Sequence, residues 1–353
     1  MTLIIQIIGA LIIFSLLVFI HELGHFGAAR LFGVKVNEFA IGMGPAIFKW
    51  GKGETKYAIR CIPLGGSCTM EGEDETSDNP RSFNHAKRWH KIVILAAGAI
   101  LNLLSGLVVC VIMVANTPTL PVPIIDGFAP AEVVQESAVQ QAGLQVGDEI
   151  LRVNGTRTHL HVDVIFETMR MKSSEVDVTY RRGEEVSTIR VNMDYNEEQQ
   201  RYMLGYVSRA IPNSFLRTLK YGTYEFIFVC RQITTSLVDL VTGKLNFSNV
   251  SGPVGIVGEL GSAVGDAVTQ PDSGGWWNLT TLFLLITINL GIFNLIPFPA
   301  LDGGRIFFVL VEAIRRKPIS PEKEGVVHFV GFALLILLVL FATGNDIVRI
   351  VHS

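Results

Sequence analysis

Charge is scarce in this chain: Asp, Glu, Lys and Arg make up only 17% of its 353 residues, and 29 basic residues face 32 acidic ones. The resulting net charge of -3 leaves no basic stripe, which excludes nucleic acid as the expected partner. Cysteine is scarce as well. Cys61, Cys68, Cys110 and Cys230 are scattered and form no CxxC pair, so neither a disulfide framework nor a cysteine-based zinc site is expected. They read as buried or free thiols. What the chain has instead is apolar: 49% of residues are hydrophobic and the mean hydropathy is +0.41, values that point to membrane spans.

Three runs are long enough to cross a bilayer, Leu3 to Ala29, Ile92 to Ala115 and Val326 to Thr343. A fourth, Trp276 to Leu301, opens on a tryptophan pair suited to a membrane interface. It closes on Pro297 and Pro299, so its end is not expected to be regular helix. The first run has no basic residue ahead of it and no small-residue cleavage site, and is expected to stay in the mature protein. Lys and Arg concentrate in Arg30 to Lys91 and again at Arg315, Arg316 and Lys317. The positive-inside rule puts both segments in the cytoplasm and both termini outside, which four spans satisfy. Phe215 to Val241 is interrupted by Arg217, Lys220, Glu225, Arg231 and Asp239 and reads as a helix lying on a surface.

Between the second and third spans, Pro121 to Ile211 shows strand-like alternation in "DEILRVNG", "EVDVTYRRG" and "VSTIRVNM". The stretch from Ser137 to Gly155 resembles the G-L-x-x-G-D-x-I-x-x-V-N-G signature of PDZ domains, which implies a peptide dock or filter on the outer side. Asp126 and Glu132 read as solubilising residues of this block.

His21-Glu22-Leu23-Gly24-His25 is an H-E-x-x-H motif inside the first apolar run. Helical periodicity stacks His21 and His25 on one face, where two imidazoles can grip one metal, with Glu22 beside it as a general base. Three ionisable groups at this depth each cost on the order of 2.5 kcal/mol without partners, so chance is a poor account. Catalytic zinc takes a third protein donor and keeps a position open. Asp302, in "NLIPFPALDGG", is the candidate: His21 lies roughly 27 Å into its span and Asp302 about one full crossing past Leu279. Asp302 also suits an N-cap for a helix starting near Gly304. His85 and His90 sit in the basic approach to the second span and read as headgroup contacts, while His159, His161, His328 and His352 show no ligand spacing.

Asn294, Pro297, Pro299, Leu301, Asp302 and Gly303 meet the pattern N-x-x-P-x-P-x-L-D-G without departure. With H-E-L-G-H, Ala97-Gly98 followed by Asn102, the single PDZ-like insert and "SGPVGIVG" at Ser251 to Gly258, the chain resembles the bacterial site-2 proteases, in their shorter single-PDZ form. The resemblance implies a polytopic α-helical membrane protein of about four transmembrane helices, with a membrane-associated β-hairpin or sheet and one inserted α+β PDZ-like domain. Its expected segments are residues 1–119, 120–211, 212–275 and 276–353. It implies one Zn2+ held by His21, His25 and Asp302, Glu22 as the base, and Asn294 and Asn102 touching the substrate backbone; interhelical hydrogen bonding is the alternative for both Asn residues. It makes the segment from Val34 to Met70 a membrane-embedded sheet whose edge pairs with substrate, against the alternative of a cytosolic hairpin. The expected substrates are single-span proteins already trimmed outside, such as membrane anti-sigma factors or remnant signal peptides, in the bacterial inner membrane. A catalytically idle PDZ scaffold with structural zinc competes with this reading, but would not need Glu22. A zinc transporter would need more polar residues along its spans.

Overall fold

The structure, a computed structural model, describes residues 2–73, 75, 77–129, 137–197, 201–244, 251–269, 274–317 and 319–352. Glu132 lies outside them. The chain divides into two compact units, residues 1–109 with 229–353, and residues 110–228.

The first unit is mainly helical. Helices α1 (Thr2–Leu31) and α2 (Arg88–Ala115) carry the first two apolar runs. Among the described residues, four helical segments are long and apolar enough to cross a membrane: Ile4–Leu31, Arg88–Ala115, Gly275–Asn294 and Glu322–Arg349. A helix satisfies its own backbone polar groups, which is what lets such segments sit in hydrocarbon. Many of their side chains stay outside the protein, among them Phe329, Leu337 and Leu340, as lipid-facing positions require. The segment from Phe215 to Val241 is helical, but is not among the four.

Between α1 and α2 lie two strands, β1 (Val36–Trp50) and β2 (Lys56–Met70). Their register is richer than a hairpin. Ala46 to Trp50 pair antiparallel with Arg60 to Tyr57, and Val36 to Ile41 pair antiparallel with Met70 to Gly66. Glu38 to Ile41 also run alongside Lys56 to Ile59 in rising register. Both strands therefore fold back on themselves, giving the lateral order 66–70, 36–41, 56–62, 46–50. The bends fall at Gly42, Gly44 and Gly65, with φ of 88°, 83° and 79°, values a side chain would resist. A core of Ala29, Val36, Met70, Ile94, Leu95 and Val309 fixes this sheet to the helices beside it.

The second unit, the insert, is a sheet of six strands. β3 (Thr119–Phe128), β4 (Glu149–Val153), β5 (Thr156–Arg157), β6 (Glu175–Arg182), β7 (Glu185–Asn192) and a last strand Tyr206–Pro212 build it, with that last strand on one edge beside β3. The short pair β8 (Asp194–Asn196) and β9 (Arg201–Met203) precedes the last strand, which is β10. Helices α3 (Ala138–Gln141) and α4 (His161–Met169) flank the sheet. The sheet buries Ile150, Val153, Val176, Val178 and Val191, each contributing on the order of 1.5–3 kcal/mol. Asp126 pairs with Arg209 across β3 and β10 at 2.8 Å.

Buried Asp148 accepts from Arg182 Nε and Nη2, at 2.8 and 2.7 Å, and from the Gln145 N–H. The Arg182 guanidinium holds its carboxyl below the usual range against the opposing effect of burial. A depressed folded pKa contributes stability above the unfolded value of about 3.9 and loses it as pH falls toward the folded one. Arg182→Leu should therefore destabilise the insert at pH 7, and by less at pH 3. Hydrogen exchange of β4 and β6 in the full chain, compared at the two pH values, measures both.

The remaining helices are α5 (Phe215–Val241), α6 (Pro253–Thr269), α7 (Gly275–Asn294), α8 (Asp302–Arg315) and α9 (Pro321–His352). The buried Asp346 carboxylate on α9 accepts the N–H groups of Gly252 and Gly255, at 2.9 and 2.8 Å. It thereby satisfies the first turn of α6, within the sequence "SGPVGIVG".

Candidate metal centre

His21 and His25 project from one face of α1, one helical turn apart, with ring centroids 4.8 Å apart. They meet α2 at an unusually close crossing. A Cβ on Gly24 would lie 2.3 Å from the Ala97 carbonyl oxygen, and one on Gly98 would lie 2.4 Å from His25 Nε2. Only glycine at both positions lets the two backbones approach this far.

Asp302 arrives from the other side. Helix α7 stops at Asn294, ahead of Pro297 and Pro299, which cannot continue its hydrogen bonding. The following turn places Ala300 at φ 79°, a left-handed conformation that costs a non-glycine residue about 1–3 kcal/mol. His328 on α9 holds it there: the Ala300 N–H donates to His328 Nδ1 at 2.9 Å. Gly303 and Gly304 are packed so closely under this turn that a Cβ on either would lie 2.2 and 2.4 Å from the Ile296 and Phe298 carbonyl oxygens. Asp302 is the first residue of α8, and the helix N-cap is Leu301. Its carboxylate is turned toward the histidines, with Oδ2 at 3.1 Å from His21 Nε2 and 3.3 Å from His25 Nε2.

One donor atom from each of His21, His25 and Asp302 falls within 4.8 Å of the others, the one such group among the described residues. The chemistry of the set fits a zinc ion. His25 Nδ1 lies 2.9 Å from the Ile94 carbonyl, an acceptor only, so in the neutral ring the proton sits on Nδ1 and the Nε2 lone pair faces inward. Asp302 Oδ2 is buried and has no hydrogen bond despite its short contacts. The His21 and His25 Nε2 atoms are 3.2 Å apart. Lone pairs converging in this way repel one another unless a cation or proton lies among them, and two imidazoles with one carboxylate match catalytic zinc.

Glu22 is outside that donor group but adjacent to it. A Cβ on Gly66 would meet Glu22 Cγ at 3.0 Å. The outer edge of strand segment 66–70 therefore runs beside Glu22. Asn102 is fully buried with its amide 3.4 Å from His21 Nδ1. Asn294, at the end of α7, makes no hydrogen bond to His21, His25 or Asp302.

Three supports are not evident from sequence. His328 fixes the turn before Asp302. Glu73 accepts from Arg305 on α8 and from the Met70 N–H at the end of β2, linking the sheet edge to the helix that carries Asp302. Gly98 makes room for both rings. Of these, only glycine in an apolar helix carried any prior signal of close packing. Four further histidines are engaged elsewhere: His85 bonds Ser82 Oγ, His90 stacks on Phe32, His159 on Tyr224, and His161 bonds the Tyr206 hydroxyl.

The profile of peptidase family M50 matches residues 9–338. A Clostridium perfringens protein bearing the name of a zinc metalloprotease is 36% identical over 97% of this chain and 98% of its own length. The regulator of sigma-W protease RasP of Bacillus subtilis is 30% identical over 98% of each chain, and the zinc metalloprotease RasP of Geobacillus kaustophilus 31% over 97% of each. The Bacillus alignment runs over 433 positions against the 353 residues here, so that relative carries inserted residues. Family match, relatives and converging donors agree: the chain belongs to peptidase family M50, the site-2 proteases, as a zinc metalloprotease of the membrane.

Proposed function

We propose that the protein hydrolyses peptide bonds of single-span membrane proteins within the bilayer, after other enzymes have trimmed their outer portions. The observation that carries this is the position of the donor group, on a helix of membrane-crossing length and beside the outermost strand segment of a sheet. His21, His25 and Asp302 are assigned as the zinc ligands and Glu22 as the base. Bound zinc supplies Lewis acidity, polarising the scissile carbonyl and easing proton loss from water near neutral pH. Glu22 takes the proton from the attacking water on its carboxylate and returns it to the departing amine nitrogen. The surrounding helices restrict water to the reaction centre.

A substrate helix hides its carbonyls in its own hydrogen bonds and must be extended before it can be cut. The edge formed by Gly66 to Met70 offers that service by pairing with the substrate as an added strand. Asn294, at the end of α7, is assigned a contact with the substrate backbone. The insert is proposed to be a PDZ-like domain on the extracytoplasmic side of a bacterial inner membrane, with both termini on that side. Support comes from the sequence signature, from the terminal place of β10 in its sheet, and from a groove of about 350 Å3 between α4 and residues 204–208. Membrane anti-sigma factors are proposed as the substrate class, in keeping with the Bacillus relative's name as a regulator of sigma-W protease, and remnant signal peptides meet the same requirement.

The test is reconstitution in liposomes with two versions of one single-span substrate, with and without a folded outer domain. Faster cleavage of the trimmed version, at a bond that mass spectrometry places inside its apolar segment, is expected; cuts confined to residues outside that segment would overturn the reading. Edge pairing is tested separately. Cys68→Pro removes a backbone N–H from strand segment 66–70 and should lower cleavage about 10-fold or more with zinc retained, whereas Phe48→Pro on the opposite edge should not. Equal rates in both variants would dismiss edge pairing.

A further inference from the structure

Asn102 sits on α2 one turn beyond Gly98 and is 0% exposed. Its backbone carbonyl accepts from Ser105 Oγ at 2.7 Å, and Thr287 Oγ1 on α7 lies 3.1 Å from Ser105 Oγ and 3.4 Å from the same carbonyl, with one proton to give to either. The residue is thus anchored between two helices with its amide against the outer nitrogen of His21.

The two ends of that amide have opposite consequences. With Nδ2 turned to His21, the 3.4 Å contact makes Nδ1 of the ring an acceptor and leaves Asn102 Oδ1 buried with no partner. An unsatisfied buried acceptor costs about 1–3 kcal/mol. A neutral imidazole that accepts at Nδ1 must also carry its proton on Nε2. That proton would point into the space where His25 Nε2 and Asp302 Oδ2 stand 3.2 and 3.1 Å away, and His21 would have no lone pair to give a metal.

A half-turn of the amide, which leaves its shape unchanged, reverses the tautomer and removes the second fault. Oδ1 then accepts from Nδ1–H, and the Nε2 lone pair joins the other donors. His25 already has this arrangement, with the Ile94 carbonyl as its acceptor. We propose that Asn102 is a positioning residue: its Oδ1 accepts the His21 Nδ1 proton, fixing the tautomer and orientation that allow His21 to bind zinc. This replaces substrate contact as the role of Asn102, and it rests on His21 being a zinc ligand.

The experiment compares zinc affinity, by chelator competition in detergent, and the visible spectrum of the cobalt form in the parent, Asn102→Asp and Asn102→Leu. Aspartate keeps the acceptor and loses the donor, so it should match or exceed the parent affinity and keep the four-coordinate cobalt spectrum. Leucine removes the acceptor and should weaken zinc binding roughly 10–100-fold. Unchanged affinity in Asn102→Leu, or an equal loss in Asn102→Asp, overturns the proposal. Nitrogen NMR of the labelled parent in nanodiscs gives a reading that needs no variant: each imidazole that responds to zinc should carry its proton on Nδ1, and a ring metallated at Nδ1 also overturns it. Failure of the parent to bind zinc at all would instead sink the underlying ligand assignment.

Discussion

Glu22→Gln should retain zinc at the parent level and lose cleavage by roughly 10²–10⁴-fold, the usual contribution of a positioned acid or base. Glutamine keeps the shape of the side chain but cannot take a proton from water or return one to an amine. The zinc donors should not notice the change, because Glu22 is outside the group formed by His21, His25 and Asp302. A barrier increase of about 3–5 kcal/mol corresponds to that range of rates. Zinc content by elemental analysis and turnover of a trimmed single-span substrate, measured on the same preparation, separate the two effects. Zinc lost together with activity would show Glu22 acting in metal binding or in folding, and would remove the argument for it as the base.

The parts of this site that were legible in the sequence are those set by local geometry. His21 and His25 stack because four residues make about one helical turn, and the two prolines after Asn294 announced the end of α7 without any tertiary information. Asp302 was open to two readings, ligand or helix cap. The structure resolves where it points: Leu301 takes the cap position and the carboxylate faces the histidines.

What was not legible is non-local. Two strands were expected between the first spans, but the four-segment sheet depends on which residues of β1 find β2 on each side, and periodicity carries no such record. His328 had no ligand spacing and is not part of the group formed by His21, His25 and Asp302; its ring accepts the N–H of Ala300, 28 positions away in the chain. Arg305 and Glu73 are farther apart still, separated by 232 positions. Each supports the centre through a backbone or side-chain contact made only after the helices have assembled. Composition could not reveal them, since a single His, Glu or Arg near a membrane surface has many unrelated uses.

Gly98→Ala sets two effects of opposite sign against each other. In an isolated helix alanine is favoured over glycine by about 0.8–1 kcal/mol, so helix propensity alone predicts a more stable α2. At this position, however, the added methyl would lie 2.4 Å from His25 Nε2, 2.8 Å from His21 Cε1 and 2.9 Å from the His21 carbonyl oxygen. These are well inside ordinary contact distance, and the atoms they meet are a proposed metal donor, its partner ring and helix backbone, none of which is the loose end of a flexible chain. Relief requires α1 and α2 to separate or the imidazoles to turn, and either motion spoils a donor set that depends on atoms a few ångströms apart. Zinc affinity should therefore fall by at least about 10-fold, the lower end of what displaced ligand supports cost, with cleavage falling alongside it. Gly27→Ala on α1 is the matched control, because a Cβ there has no neighbour within 4 Å. It adds the same methyl two residues after His25 and should leave zinc affinity unchanged. Comparable zinc loss in both variants would mean that glycine is needed for helix flexibility in general, whereas loss in Gly98→Ala alone would locate the requirement in the space between the two rings and α2.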